Sequence, residues 1–357
     1  MNILIAAGGT GGHINPGIAI GNMLKNRGDK VKFVGTDRGL EKDLVPKAGF
    51  ELEYIHAAGL HRGLSLKNLK TLITLKQGID DCKNIIKREK PDLVIGTGGY
   101  VTAPLMIAAL KMKVPTMIHE SNALPGKTTI WLSKKVDLIA LGFDDAKLRV
   151  PKAKNAVFTG NPTKIDGSLK KEEMKKKLGI NGKMVLVFGG SQGAKRINAT
   201  MIEMINENKQ LGYEVIYATG AKNYDEVVSE IKVDNKHFKV EKYIYNMPEV
   251  MAAADLVICR SGALTVTEIA IVGVPSIMIP FPYAAENHQY YNAKTLEDAG
   301  AGIIIEEKDL TKELLERKVN EIIHDDGRLN EMARNAKKIG DNKALERIEK
   351  EIGKLVK

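Results

Sequence analysis

The sequence predicts an α/β protein made of two Rossmann-like, doubly wound parallel-sheet domains in tandem. Short apolar runs alternate with segments of helical period from the first residues onward, which is the pattern of βαβ units. The first strand of each half runs into a glycine-rich turn, Gly8-Gly9-Thr10-Gly11-Gly12-His13 in one and Gly189-Gly190-Ser191-Gln192-Gly193-Ala194 in the other. A length of 357 residues with 43% apolar side chains is enough for two full cores.

In the first half, apolar runs predict strands at 2–6, 30–34, 51–55, 92–95, 116–118 and 137–140, with a helix at 14–27 closing near Gly28. The pattern breaks at Thr159-Gly160-Asn161-Pro162, passes a lysine-rich helix at 169–178, and restarts with a strand at 184–188, a helix at 194–208 and a strand at 214–218. Strand and helix then alternate to 302–305, and from Lys308 the chain reads as helices alone. The expected domains are 1–162 and 163–341, with a last helix at about 342–357 that has no sheet of its own and packs back on the first domain.

The net charge of +10 comes mainly from lysine and suits anionic partners such as nucleotides, diphosphates or lipid head groups, or no partner at all. No nucleic-acid partner is expected. Cys82 and Cys259 lie far apart in apolar or helical context, so neither a disulfide framework nor a zinc site is expected, and cytosol is the natural compartment. The first residues enter a strand directly, without the pattern of a signal peptide. The longest apolar run, 269–281, is interrupted by Gly273 and Pro275, so no membrane span is expected.

The chemistry is densest in 255–293. There an apolar strand ends at Arg260, Ser261-Gly262 turns the chain, and a helix opens at Ala263. A helix start at the carboxyl end of a strand offers unpaired N–H groups and the positive end of the macrodipole to a diphosphate. Glu268, one turn further in, is placed to accept from two adjacent hydroxyls of a ribose, or simply to meet water. The loop after Pro280 brings Gln289 and Asn292, amides suited to sugar hydroxyls, to the carboxyl end of the next strand. The stretch reads as a nucleotide-sugar pocket. A third glycine turn, Gly96-Thr97-Gly98-Gly99-Tyr100, adds to the two that open the domains, and together they point to a cleft that handles phosphates. The dinucleotide spacing, the Walker spacing, G-x-S-x-G, D-x-D pairs and metal-ligating clusters are all missing, which argues against hydride transfer, ATP hydrolysis and a built-in metal. His13, at a helix start that favours its neutral form, is a candidate base for an attacking hydroxyl or a contact to the loop or a phosphate. His119 is a catalytic or a structural histidine.

Six segments in order resemble the bacterial peptidoglycan glycosyltransferases of the MurG family over almost the whole chain: 8–13, Gly98-Gly99-Tyr100-Val101, His119-Glu120-Ser121-Asn122, Gly160-Asn161-Pro162, 189–194 and Arg260 to Glu268. The resemblance implies a GT-B fold, two such domains facing a cleft. It implies transfer of N-acetylglucosamine (GlcNAc) from UDP-GlcNAc to the C4 hydroxyl of N-acetylmuramic acid (MurNAc) in lipid I, undecaprenyl-pyrophosphoryl-MurNAc-pentapeptide. The product would be lipid II, formed with inversion, at the cytoplasmic face of the cell membrane, with no cofactor and no metal. Wall-synthesis or division proteins would be further partners. A related GT-B enzyme acting on another lipid, such as diacylglycerol, and a non-catalytic nucleotide-sugar binder are the alternatives.

Carried over motif by motif, the resemblance places Ser191 at the diphosphate and the backbone of Ile244 at the uracil. Ala263, Leu264 and Thr265 would hold the phosphates through their N–H groups, Glu268 the ribose hydroxyls and Gln289 those of GlcNAc. From the first, acceptor- and membrane-facing domain, Thr10, Gly11, Gly12 and Asn122 would complete the donor pocket, with His13 as base or phosphate contact. Lys164 stands where the family often has arginine, keeping the charge without the bidentate fork, and His288 stands for the first of a glutamine pair. For the membrane, 64–79 places Leu66, Leu69, Leu72, Ile73 and Ile79 near one helical face among Lys67, Lys70 and Lys76. That suits an interfacial helix on anionic lipid or an ordinary helix covering the sheet. Leu110-Lys111-Met112-Lys113-Val114 is a similar patch.

Overall fold

A computed structural model of the chain describes residues 1–59, 66–165, 167–190, 193–207 and 209–356, with the backbone alone for 66–70. Two compact units emerge, one of Met1–Thr163 with Lys343–Lys357, the other of Lys164–Asn342.

The first unit runs β1 (Asn2–Ala6), α1 (Gly11–Asn26), β2 (Lys30–Gly35), α2 (Glu41–Lys47), β3 (Glu51–Tyr54), α3 (Leu66–Glu89), β4 (Leu93–Gly96), α4 (Thr102–Lys111), β5 (Thr116–Glu120), α5 (Lys127–Leu132), β6 (Leu138–Leu141) and β7 (Ala156–Phe158). Its strands form one sheet in the order β3-β2-β1-β4-β5-β6-β7, every neighbouring pair parallel. Alternation along β1 explains why both faces are covered. Ile3 and Ile5 enter one core with Phe33, Leu93 and Met117, and Leu4 and Ala6 enter the other with Val94, Leu105 and Ile118.

The second unit runs α6 (Lys171–Leu178), β8 (Lys183–Phe188), α7 (Lys195–Asn206), β9 (Tyr213–Ala218), α8 (Tyr224–Glu230), β10 (Phe238–Glu241), α9 (Met247–Ala253), β11 (Leu256–Cys259), α10 (Ala263–Val272), β12 (Ser276–Met278), α11 (His288–Asp298), β13 (Gly302–Ile304), α12 (Lys312–Ile323) and α13 (Asp326–Ile339). Its parallel sheet has the order β10-β9-β8-β11-β12-β13. The closing helix α14 (Ala344–Leu355) then returns to the first unit, where Ile348 and Ile352 are fully buried in the core beside α1.

In both sheets the winding reverses beside the first strand, between β1 and β4 and between β8 and β11. The carboxyl ends of strands at such a reversal leave a crevice, and there open α/β sheets bind ligands. The first and third glycine turns flank one reversal, and the second glycine turn and Arg260-Ser261-Gly262 flank the other. Strand β7 is absent from the sequence reading because three half-buried residues at a sheet edge carry too little pattern.

Candidate active site

In the first unit the turn after β1 delivers α1. Thr10 is the N-cap in an extended conformation, and the first backbone donors to close on it are those of His13 and Ile14, both to the Thr10 carbonyl. The Gly11 and Gly12 N–H groups, which precede that closure, lack intrahelical partners. The third glycine turn lies directly against this one. Gly98 and Gly99 have φ of 110° and 79°, and a Cβ on them would fall on the His13 ring and on the Gly8 carbonyl oxygen respectively. Thr97 Oγ1 also donates to the His13 carbonyl at 2.8 Å. The structure thus brings Thr10, Gly11, Gly12 and His13 together at the sheet's reversal and backs them with the turn after β4.

Asn122 is held by Glu120, a residue that spacing did not single out as a site group. One Glu120 oxygen accepts from the Asn122 backbone and side-chain N–H at 3.0 and 3.1 Å, and the other from the Gly126 N–H and the Thr129 hydroxyl at 3.0 and 2.6 Å. His119 is buried, with Nε2 3.2 Å from the Gly160 carbonyl and Nδ1 3.4 Å from Ser121 Oγ, and burial lowers its pKa. Of its two readings this geometry favours the structural one.

In the second unit β11 ends at Cys259, just before Arg260, and Gly262 caps α10 in an extended conformation. The first helical bond runs from Val266 N–H to the Gly262 carbonyl, so the N–H groups of Ala263, Leu264 and Thr265 point out of the helix start. Ser261 ties this turn to α11. Its hydroxyl donates to the Gln289 carbonyl at 2.8 Å, and its carbonyl accepts from Asn292 Nδ2 at 3.2 Å. Gln289 Oε1 accepts the Phe281 N–H at 2.9 Å, which closes the loop that follows β12. Glu286 and Asn287, both with φ near 55°, make the sharp turn that delivers Gln289. Arg260 fastens the base of the same loop, donating to the Ile279 and Pro280 carbonyls at 3.0 and 3.1 Å and pairing with Glu307.

Glu268 is the outlier in its electrostatics. It sits in the second turn of α10, partly buried, and no hydrogen-bond donor reaches its carboxylate among the described residues. Burial alone pushes its pKa up to about 7 from an ordinary 4.5. Ile244 is buried in the connection between β10 and α9, flanked by the exposed rings of Tyr243 and Tyr245. Lys164 stands apart from this group. It lines a small cavity of about 190 Å³ with Pro248, Ala252 and Val272, and Val272 is at the far end of α10 from Ala263. Ser191 lies outside the described residues. Among the described residues no group of three or more His, Cys, Asp or Glu is placed to hold a metal.

Two doubly wound parallel-sheet units in tandem, each with a glycine turn at its sheet reversal, have the architecture of the GT-B fold. The chain matches the models of the glycosyltransferase family 28 N-terminal domain over residues 3–141 and C-terminal domain over residues 184–348. It is 46% identical to the UDP-N-acetylglucosamine–N-acetylmuramyl-(pentapeptide) pyrophosphoryl-undecaprenol N-acetylglucosamine transferase of Acetivibrio thermocellus, over 98% of this chain and 96% of that protein. With the protein of the same name from Caldanaerobacter subterraneus it shares 45% identity over 98% of each. Among solved structures, Acinetobacter baumannii MurG superposes with a TM-score of 0.81 at 27% identity, covering 99% of both chains. The S. aureus MnaA–UDP co-structure, at 17% identity and a TM-score of 0.71 over 99% of this chain and 96% of that one, shares the fold. The chain belongs to glycosyltransferase family 28, with the MurG-type N-acetylglucosamine transferases as full-length relatives.

Proposed function

We propose that the protein transfers GlcNAc from UDP-GlcNAc to the C4 hydroxyl of MurNAc in lipid I, with inversion, to give lipid II in peptidoglycan synthesis. The relatives that share more than 40% of its residues over the full length carry that activity in their names. The observation that carries the reading is the α10 start, where three outward N–H groups stand one turn ahead of a carboxylate that receives no donor among the described residues. A nucleoside diphosphate offers the matching pattern, an anion next to a vicinal diol.

In the reaction the acceptor oxygen forms a bond to C1 of GlcNAc as the bond from C1 to the diphosphate oxygen breaks, and UDP leaves with the electron pair. The N–H groups of Ala263, Leu264 and Thr265, with the helix dipole behind them, stabilise the charge that grows on the diphosphate. Glu268 accepts from the ribose hydroxyls, Gln289 meets the sugar, and Ile244 meets the uracil through its backbone. On the first unit, His13 takes the acceptor proton, and Thr10, Gly11, Gly12 and Asn122 are further substrate contacts. Ser191 is a further donor contact on the strength of motif alone.

The acceptor is a lipid, and among the described residues no helix is long and apolar enough to cross a membrane. We infer peripheral attachment at the cytoplasmic face of the membrane. Leu72 and Ile73 on α3 are each 56% exposed beside exposed Lys76, and Trp131 on α5 is 54% exposed with Lys135 over its ring. Exposed apolar side chains with lysines beside them match an anionic lipid surface. The side chains of Lys67 and Lys70 lie outside the described residues.

The deciding experiment measures UDP release from UDP-GlcNAc with and without a short-chain lipid I analogue, in EDTA. Release that requires the acceptor and survives EDTA supports the reading. Binding of UDP-GlcNAc without acceptor-dependent release overturns it.

A further inference from the structure

One charged group at the first sheet's reversal has no part in this mechanism. Glu41, the first residue of α2, is fully buried. Its Oε2 accepts the Gly9 N–H at 2.9 Å. Its Oε1 accepts the Thr36 N–H at 3.1 Å, the Thr36 hydroxyl at 2.8 Å and the Tyr100 hydroxyl at 3.3 Å. Because Thr36 gives its one hydroxyl proton to Glu41, the single Tyr100 hydroxyl proton is shared between Thr36 Oγ1 at 3.0 Å and Glu41 Oε1 at 3.3 Å. One carboxylate therefore joins the turns that follow β1, β2 and β4.

The surroundings are shaped to this group. A Cβ on Gly39 would overlap the carboxylate, one on Gly35 would come within 2.7 Å of its Cγ, and one on Gly8 within 3.1 Å of Oε1. Among the described residues no lysine or arginine pairs with it; its partners are neutral donors. Burying a carboxylate on neutral donors, with no cation beside it, carries a desolvation cost that those hydrogen bonds must offset. What the carboxylate supplies is geometry, since four donors converge only on a group that accepts on both oxygens.

We propose that Glu41 is a positioning residue for the transfer reaction: it fixes the Gly8–Gly12 turn against Tyr100 and thereby sets the direction of His13 and of the open N–H groups at the start of α1. The inference rests on the transferase reading given above. It also changes the role of the turn. Gly9 spends its N–H on Glu41, so an anion in this crevice is met by Gly11 and Gly12 rather than by the whole glycine run.

Glu41→Gln isolates the effect. The amide keeps the shape but has one accepting oxygen, so either Gly9 or the Thr36–Tyr100 side faces an NH2 group, donor against donor. In the full-length chain, hydrogen exchange followed by mass spectrometry should show the 7–14 segment, the 98–102 segment or both exchanging about tenfold faster, with the second unit unchanged. The kcat with the lipid I analogue should fall at least about tenfold, and by more than the affinity for UDP-GlcNAc, whose contacts lie mainly on the second unit. Exchange and kcat both within twofold of wild type overturn the proposal. So does faster exchange with unchanged kcat, or a fall in kcat that follows loosening of the whole first unit. If Glu41→Gln does not fold, Thr36→Val, which removes one donor to the carboxylate, should give the same pattern at about threefold, and no change there overturns the proposal as well. A wild-type chain with no acceptor-dependent turnover counts against the transferase reading instead, and is seen before any substitution is made.

Discussion

Glu268 should make donor binding depend on pH near neutrality. Its carboxyl is pushed up to about 7 by burial and has no donor among the described residues, so the free protein is roughly half protonated at pH 7. The ribose hydroxyls donate to the ionised form, so only that fraction binds with full strength. About nine-tenths is ionised at pH 8 and about one-tenth at pH 6, and UDP-GlcNAc affinity should fall by nearly tenfold between them, or about 1.3 kcal/mol. Calorimetry without acceptor reads this directly, and UDP-GlcNAc is the right probe because its diphosphate is esterified at both ends and does not titrate in this range. Repeating the titration at pH 7 in buffers of different ionisation enthalpy should show release of about half a proton. Glu268→Gln should bind more weakly and with a flat profile. The folded chain should report the same carboxyl. Because its folded value lies above 4.5, its contribution to stability is full below about pH 4.5 and is lost as pH rises through about 7, a swing of roughly 3 kcal/mol. Glu268→Gln should then melt higher than wild type at pH 8 and not at pH 4. Wild-type affinity that is flat from pH 6 to pH 8, or a slope that Glu268→Gln retains, would refute the reasoning.

Three further outcomes test the rest of the site. His13→Ala should lower kcat by roughly a hundredfold while leaving the UDP-GlcNAc dissociation constant unchanged, and near-normal turnover in a rapid-quench assay would remove the histidine from the role of base. Arg260→Met should cost roughly 3 kcal/mol of stability, because Glu307 and the Ile279 and Pro280 carbonyls lose their shared partner, and a melting temperature equal to wild type would contradict that. Charge reversal at Lys67, Lys70 and Lys76 together should weaken sedimentation with anionic vesicles by about 3 kcal/mol and leave UDP-GlcNAc binding intact; vesicle binding that does not change would exclude this surface.

The α/β alternation and the start of α10 were legible in the sequence because each is a local signal. An all-apolar strand such as β11 announces itself over four residues, and the Ser261-Gly262 turn with a helical period behind it fixes Ala263 as the start of α10. The supports of the site were not legible. Glu41 opens a helix of only seven residues that contains Pro46, and its partners Gly9 and Tyr100 lie far away in the chain. Nothing in the spacing of 36–41 distinguishes a buried carboxylate from a surface one. Glu120 stood in a recognised motif, yet its work on Asn122, Gly126 and Thr129 exists only once β5 and α5 have folded against each other. The position of Lys164 beside the far end of α10 likewise depends on how the segment after the first unit crosses α9.

Carboxylates stand near the carboxyl ends of the strands in both units, and their hydrogen bonds separate two kinds of work. Glu41 and Glu120 each accept four protein donors, which leaves a substrate nothing to bind and makes them fasteners for glycine turns and for Asn122. Glu268 is the opposite case. It is partly withdrawn from water, receives no donor among the described residues, and has its pKa pushed up to about 7 by burial alone. A group in that state is costly to keep ionised until something donates to it. A ligand that brings two hydroxyls recovers that cost on binding, whereas one that lacks them leaves it in place. The donor unit should therefore discriminate against a 2′-deoxy nucleotide sugar, and the discrimination should shrink below about pH 6, where Glu268 is protonated and no longer accepts on both oxygens. Equal affinity for the ribose and deoxyribose donors at pH 8 would place the diol elsewhere.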